Sequence, residues 1–258
     1  MIRRWHVRFL LALAACLVWS PSPALVLDWE TITWNPGTLT NSYDIDPNNA
    51  GDDIRITITG DVAFFNSGYP TVNDAFTGGL PDGENANLDL WLNSWSSDAQ
   101  SITITVEFLY DLGVSNVNFT LFDVDRGSGR PRNYTFVDEI SDISAQYGTN
   151  AAVAATITAG DANDVYGTGL GQTIRGTAQA EPDDNDEGNA TISFGGNAIT
   201  SFTFTYGNYA PGTASDPSQQ SIGLHNIYFE EAPEPASIAA LALAAAALAL
   251  ARRRLRRR

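Results

Sequence analysis

The chain has no lysine, one cysteine (Cys16) and two histidines, His6 and His225. Each shortage removes a class of chemistry. Without lysine there is no Schiff base and no phosphate-cradling Gly-Lys-Ser/Thr loop. A single cysteine near the start excludes disulfides, and two histidines so far apart exclude a histidine-rich metal centre. A Ser-His-Asp triad would have to use His225, which sits inside the strand-like run "SIGLHNIYF" with no Gly-x-Ser-x-Gly elbow to accompany it.

Positive charge is scarce where it would matter for nucleic acid. All 14 basic residues are arginine, three within residues 1–8 and six within 252–258. Between the ends, five arginines (Arg55, Arg126, Arg130, Arg132 and Arg175) face all 30 acidic residues. Such a segment repels nucleic acid and anionic lipid and attracts cations.

What is present begins with an export signal. "MIRRWHVR" is a basic region, "FLLALAACLVW" an apolar run, and "SPSPA" supplies small residues, with Ser22 and Ala24 at the positions signal peptidase reads. The rival, a lipoprotein-like box "LAAC" ending at Cys16, has too short an apolar run before it. Residues 1–24 are therefore expected to be a signal peptide, and the mature chain is expected to lack cysteine.

Residues 25–231 read as strands. "DIRITIT", "SITITVEF", "VNFTLFDVD" and "TSFTFTY" alternate apolar and polar residues with a period of two. Eight further candidates ("LVLDWETITW", "DVAFF", "LDLWLN", "NYTFVDEI", "AVAATITA", "QTIRGTA", "ATISF" and "SIGLHNIYF") bring the number to about twelve. No sustained helical period intervenes. The expected fold is an all-β antiparallel sandwich of jelly-roll type. Two long loops, 66–87 and 207–220, have the length of binding loops. Trp29, Trp34, Trp91 and Trp95 are assigned to packing ahead of sugar stacking.

Carboxylates dominate the remaining chemistry. A glycosidase or lyase needs two of them facing across a bond, a pairing that 30 acidic residues always permit and never specify. Calcium takes oxygen ligands at close spacing, and three stretches offer them. "DVDRGSG" contributes Asp123 and Asp125, "DDNDEG" contributes Asp183, Asn185 and Glu187, and "GDANDVYGTG" contributes Asp161, Asn163 and Asp164. Phe194 at the twelfth position of the second stretch excludes an EF-hand. Solvent-facing acidic turns are the plainer explanation of each, and a calcium-dependent carbohydrate-binding module is the alternative they support.

The end of the chain, residues 232–258, has three parts in order. Pro233, Glu234 and Pro235 come first. An uncharged Ala/Leu run at 236–251 follows, about 24 Å long as a helix against about 30 Å of hydrocarbon. Arg252, Arg253, Arg254, Arg256, Arg257 and Arg258 close the chain and hold that end in the cytoplasm. This arrangement resembles the PEP-CTERM sorting signal of Gram-negative bacteria, although Ala232 stands where the family usually has Val. The export signal and this run together imply passage through the Sec machinery and an inner-membrane precursor with a periplasmic body. The resemblance implies processing by an exosortase and association with exopolysaccharide or biofilm. The leading expectation is an exported surface or matrix protein, not an enzyme.

Overall fold

The computed structural model describes residues 23–92, 98–180 and 185–232. Ser22, Asp183, Trp95, the Pro-Glu-Pro motif, the run 236–251 and the terminal arginines lie outside the described residues. Among the described residues no helix is long and apolar enough to cross a membrane. The body is Ala24–Glu230.

The body is all-β. Its strands are β1 (Ala24–Leu27), β2 (Thr40–Tyr43), β3 (Ile54–Gly60), β4 (Thr71–Asn73), β5 (Asn87–Asp89), β6 (Ser101–Phe108), β7 (Val114–Phe122), β8 (Gly129–Arg130) and β9 (Asn133–Tyr134). They continue with β10 (Asp138–Gln146), β11 (Val153–Ala154), β12 (Thr156–Ala159), β13 (Asn163–Tyr166), β14 (Thr173–Gly176), β15 (Ala190–Gly195), β16 (Ser201–Asn208), β17 (Gly223–Leu224) and β18 (Ile227–Glu231). One eight-stranded sheet runs β1-β18-β7-β17-β5-β4, with β15 on β7 and β12 on β15. The other runs β13-β14-β10-β16-β6-β3-β2, with β11 on β10, and β8–β9 is a separate hairpin.

The period-two pattern explains why the sheets close on each other. In β6, Ile102, Ile104, Val106 and Phe108 are buried while Ser101, Thr103, Thr105 and Glu107 are only partly covered. In β16, Phe202, Phe204 and Tyr206 turn inward. They meet Val117, Phe119 and Leu121 of β7 from the first sheet in one continuous core. The Phe119 ring stacks on Phe202 (4.6 Å, 13°) and on Phe204 (5.9 Å, 26°), so one side chain of one sheet is seated on two of the other. On the solvent face, Thr57, Thr105 and Thr203 stand in register across β3, β6 and β16. Trp29 and Trp34 are buried, as their assignment to packing requires.

Several expected strands differ in form. "DVAFF" is a 3-10 turn at Val62–Phe64, begun where Asp61 Oδ2 accepts the Ser101 amide and draws the chain off the sheet edge. "LVLDWETITW" is a strand only as far as Leu27, because the Asp28 carbonyl accepts the amides of Thr31 and Ile32 and bends the chain. "SIGLHNIYF" is broken at His225 and Asn226 into β17 and β18. "GDANDVYG", read as a ligand loop, contains strand β13, paired to β14.

Phe119→Ala removes the ring shared by both sheets and is expected to cost about 3–5 kcal/mol. Urea denaturation should show a lower midpoint with an unchanged slope. A midpoint within error of wild type would mean the stack contributes little.

Candidate functional site

The break in the last strand builds a site. Both β17 and β18 lie against β7, and at the break the His225 amide donates to the Thr120 carbonyl. There the alternation lapses, and Asn226 turns its amide to the start of the body. Its Oδ1 accepts from the Trp29 amide (2.9 Å) and its Nδ2 donates to Asp28 Oδ1 (3.3 Å). The same Asp28 oxygen accepts from the Glu30 amide (3.0 Å). Glu30 Oε1 then accepts the amides of Asn85 and Ala86 (3.0 and 2.8 Å), anchoring the end of the 74–86 loop. The expected 66–87 loop is shorter than its polar composition suggested, because Thr71–Asn73 pairs as β4 with β5, which begins at Asn87.

His225 holds the loop from the other side, Nε2 to the Glu84 carbonyl at 3.0 Å. Its ring stacks on Phe122 at 4.7 Å. Phe122 is buried on the side away from the inter-sheet core, beneath the loop. Gly78 crosses this ring so closely that a Cβ there would lie 2.3 Å from a ring carbon, and its φ of 57° adds a second reason for glycine. Asn189 Nδ2 donates to the Gly78 carbonyl (3.0 Å), pinning the loop to the residue that precedes β15.

Between loop and sheet lies a cleft of about 480 Å³. It is lined by Thr120 and Thr191, whose hydroxyls are 3.0 Å apart, and by the exposed Tyr228 and Leu80. Tyr228 is 43% exposed and stands opposite Val26, itself 37% exposed. Three carboxylates (Asp28, Glu30 and Glu84) line the cleft, and no arginine does. Burial holds the His225 imidazole below its usual value, against the upward pull of the Glu84 carbonyl bond and of Asp28 and Glu30. The ring is therefore neutral at neutral pH, with Nε2–H as the donor to Glu84.

The sequence-predicted acidic stretches do come together, through their backbones. The Val124 amide donates to the Gly188 carbonyl and the Ala162 amide to the Glu187 carbonyl. Asn163 Nδ2 bonds the Val124 and Asn189 carbonyls. Asp123 is partly buried with φ 59°, while Asp161 and Asp164 are exposed. Asp125 Oδ2 accepts the Ala180 amide at 2.9 Å. Asn185 and Glu187 lie in the turn that ends at Gly188, where Asn185 Oδ1 accepts the Glu187 amide. Among the described residues no three histidine, cysteine, aspartate or glutamate side chains are grouped to hold a metal ion.

Asp138, absent from the sequence reading, is fully buried beside them. Its Oδ1 accepts from Tyr206 Oη (3.0 Å) and Gln220 Nε2 (3.2 Å), and its Oδ2 from the Asp125 amide (3.2 Å). Burial first, then the Asp125 charge, pushes this carboxyl well above the usual range.

No protein-family model matches the chain, and no curated protein matches it. Solved structures similar to it include a family 11 carbohydrate-binding module from Clostridium thermocellum in complex with a β-1,3-1,4-mixed-linked tetrasaccharide (12% identity, 83% of this chain and 99% of that chain, TM-score 0.28). Another is CBM32-3 from a family 31 glycoside hydrolase from Clostridium perfringens (10%, 77% and 95%, TM-score 0.30). A third is a Ruminococcus gnavus GH29 fucosidase mutant in complex with fucose (8%, 70% and 26%, TM-score 0.34).

The raised Asp138 carboxyl sets a pH dependence. Above the ordinary carboxylate value, about 3.9, the unfolded chain releases a proton that the folded chain keeps. Stability therefore falls as pH rises toward the raised value. Asp138→Asn cannot ionise and should show a shallower fall of Tm as pH rises above about 4. Parallel Tm curves for variant and wild type would assign the titration to other groups.

Proposed function

We propose that the body is a non-catalytic carbohydrate-binding module of jelly-roll type, and that its ligand occupies the cleft between the 74–86 loop and the outer face of the first sheet. The observation that carries this reading is the make-up of that cleft. An exposed tyrosine ring lines it together with carboxylates, an asparagine and threonine hydroxyls. A sugar presents both an apolar C–H face and a ring of hydroxyls, and such a surface meets both. Glu30 and His225 each engage backbone groups of residues 84–86. That supports a positioning role for them ahead of acid–base chemistry, and so favours binding over the glycosidase or lyase alternative.

The module would be delivered as the chain's two ends suggest: exported by Sec, trimmed by signal peptidase near Ala24, halted in the inner membrane, and processed by an exosortase near Pro233, Glu234 and Pro235. Its ligand would then be a surface or matrix exopolysaccharide.

Affinity electrophoresis of the full-length chain through gels containing neutral polysaccharides tests the first claim. At least one should retard the wild type, and Tyr228→Ala should weaken that retention up to about tenfold without lowering Tm. Unretarded migration in every gel would sink the cleft reading. The sorting claim has its own test. Replacing Pro233, Glu234 and Pro235 with alanines should trap full-length protein in the inner membrane, whereas normal processing and release would defeat it.

A further inference from the structure

A second surface, remote in chemistry from the acidic cleft, gathers the body's positive charge. Three of its five arginines lie within "RGSGRPR", and β8 and β9 fold that segment into a hairpin in which Gly129 pairs with Tyr134 and Arg130 with Asn133. Its base is fixed on both sides. The Gly127 amide bonds the Phe136 carbonyl, the Arg126 amide bonds Ala178, and the Tyr134 amide bonds Gly212. The Arg126 guanidinium lies over the Tyr134 ring at 4.1 Å, while residues 128–133 are all exposed.

Two features of this hairpin go against what folding alone would select. The first is charge without a partner. Among the described residues the ion pairs are Arg55–Glu107 and Arg175–Glu139, so Arg126, Arg130 and Arg132 stand outside any pair in a body crowded with carboxylates. The second is the residue at the tip. Pro131 and Arg132 form the two-residue loop, and Arg132 has φ 67°, the left-handed position that such a turn normally gives to glycine or asparagine. An arginine there strains the backbone, and it presents a guanidinium at the outermost point of the hairpin.

We propose that this hairpin is a docking element for an anionic polysaccharide bearing carboxylate groups, such as a polyuronate, separate from the neutral-sugar cleft. The planar fork of a guanidinium matches a carboxylate through two parallel hydrogen bonds. Asp123 and Asp125 line the hollow at the hairpin's base with Gly127 and Ser128, away from the two-residue tip, and charges farther off on the acidic body are screened beyond about 8 Å at physiological ionic strength. A linear polymer can therefore meet the tip without facing the whole body. A second copy of this chain would bring another acidic body into contact. Duplex DNA is met by surfaces making about 6–10 phosphate contacts, more than two tip arginines provide.

The experiment compares the full-length wild type with Arg132→Gly and with the double variant Arg130→Gln/Arg132→Gly. The probes are polygalacturonate, neutral dextran and duplex DNA, each at low and physiological ionic strength. The wild type should bind polygalacturonate with an affinity that falls as salt rises. The double variant should lose at least about tenfold of that affinity, equivalent to one good charge-assisted contact. Arg132→Gly should melt no lower than wild type, and higher by about 2–4 °C if the turn strain is fully relieved. It should nevertheless bind polygalacturonate more weakly. Tyr228→Ala should bind polygalacturonate as wild type does, which separates this site from the cleft. Equal polygalacturonate binding by wild type and double variant overturns the proposal. So does a fall in Tm of Arg132→Gly that accompanies its loss of binding. Retention of DNA but not polygalacturonate also overturns it, as does loss of self-association in the double variant while polygalacturonate is not bound.

Discussion

The Asn226 side chain joins parts of the chain nearly two hundred residues apart, and the geometry of the cleft depends on that join. One amide group accepts from Trp29 and donates to Asp28. It holds the turn that presents Glu30 to the 85–86 backbone, and through that bond the loop that covers Phe122. An amide can do this because it offers both a donor and an acceptor in a fixed plane. Aspartate would lose the donor, and leucine would lose both. The buried Trp29 beside it, in edge contact with Trp34 and Tyr43, gives the turn a rigid apolar backing. The same few residues therefore hold the first strand and shape the site.

Carboxylate excess is the second constraint on the body. The body contains no cysteine, so no disulfide offsets the way its charge works against compaction. One of these acids is held in the interior, where burial disfavours its charged form. Asp138, between Tyr206, Gln220 and the Asp125 amide, is a hydrogen-bonding group well above the usual carboxylate range, and the pair Asp125–Asp138 ties the turn after β7 to the start of β10. Burial of a carboxyl next to another carboxyl favours the neutral form of one of them. The arginines that remain are placed apart: two in ion pairs on the second sheet, three on the hairpin.

The sandwich was legible wherever alternation runs unbroken. "SITITVEF" and "TSFTFTY" became β6 and β16 with the expected inward residues. The second half of β10 was not legible, because a register shift between Ser141 and Ser144, with Asp142 at φ 51°, interrupts the period in "EISDISAQ". The cleft was not legible for a different reason. Asp28, Glu30, Glu84, His225 and Tyr228 are unremarkable in their own segments and become a site only when the last strand lies beside the first. One local signal existed, the His-Asn pair that breaks the alternation of "SIGLHNIYF". The acidic stretches show the reverse. The segments they mark meet in the fold, but they are joined by backbone hydrogen bonds and the Asn163 amide, which the spacing of carboxylates does not encode.

The pairing of β1 with β18 places Ala24 opposite Glu230, so the body begins and finishes at neighbouring points on one sheet. Tension drawn between those two points would load the four residue pairs of this ladder one after another, as a zipper opens, and not all at once in shear. The strands parted first would carry away Asp28 and Asn226, so the cleft would come apart while the aromatic stack between the sheets was still intact. A body tethered through one end alone bears no such load.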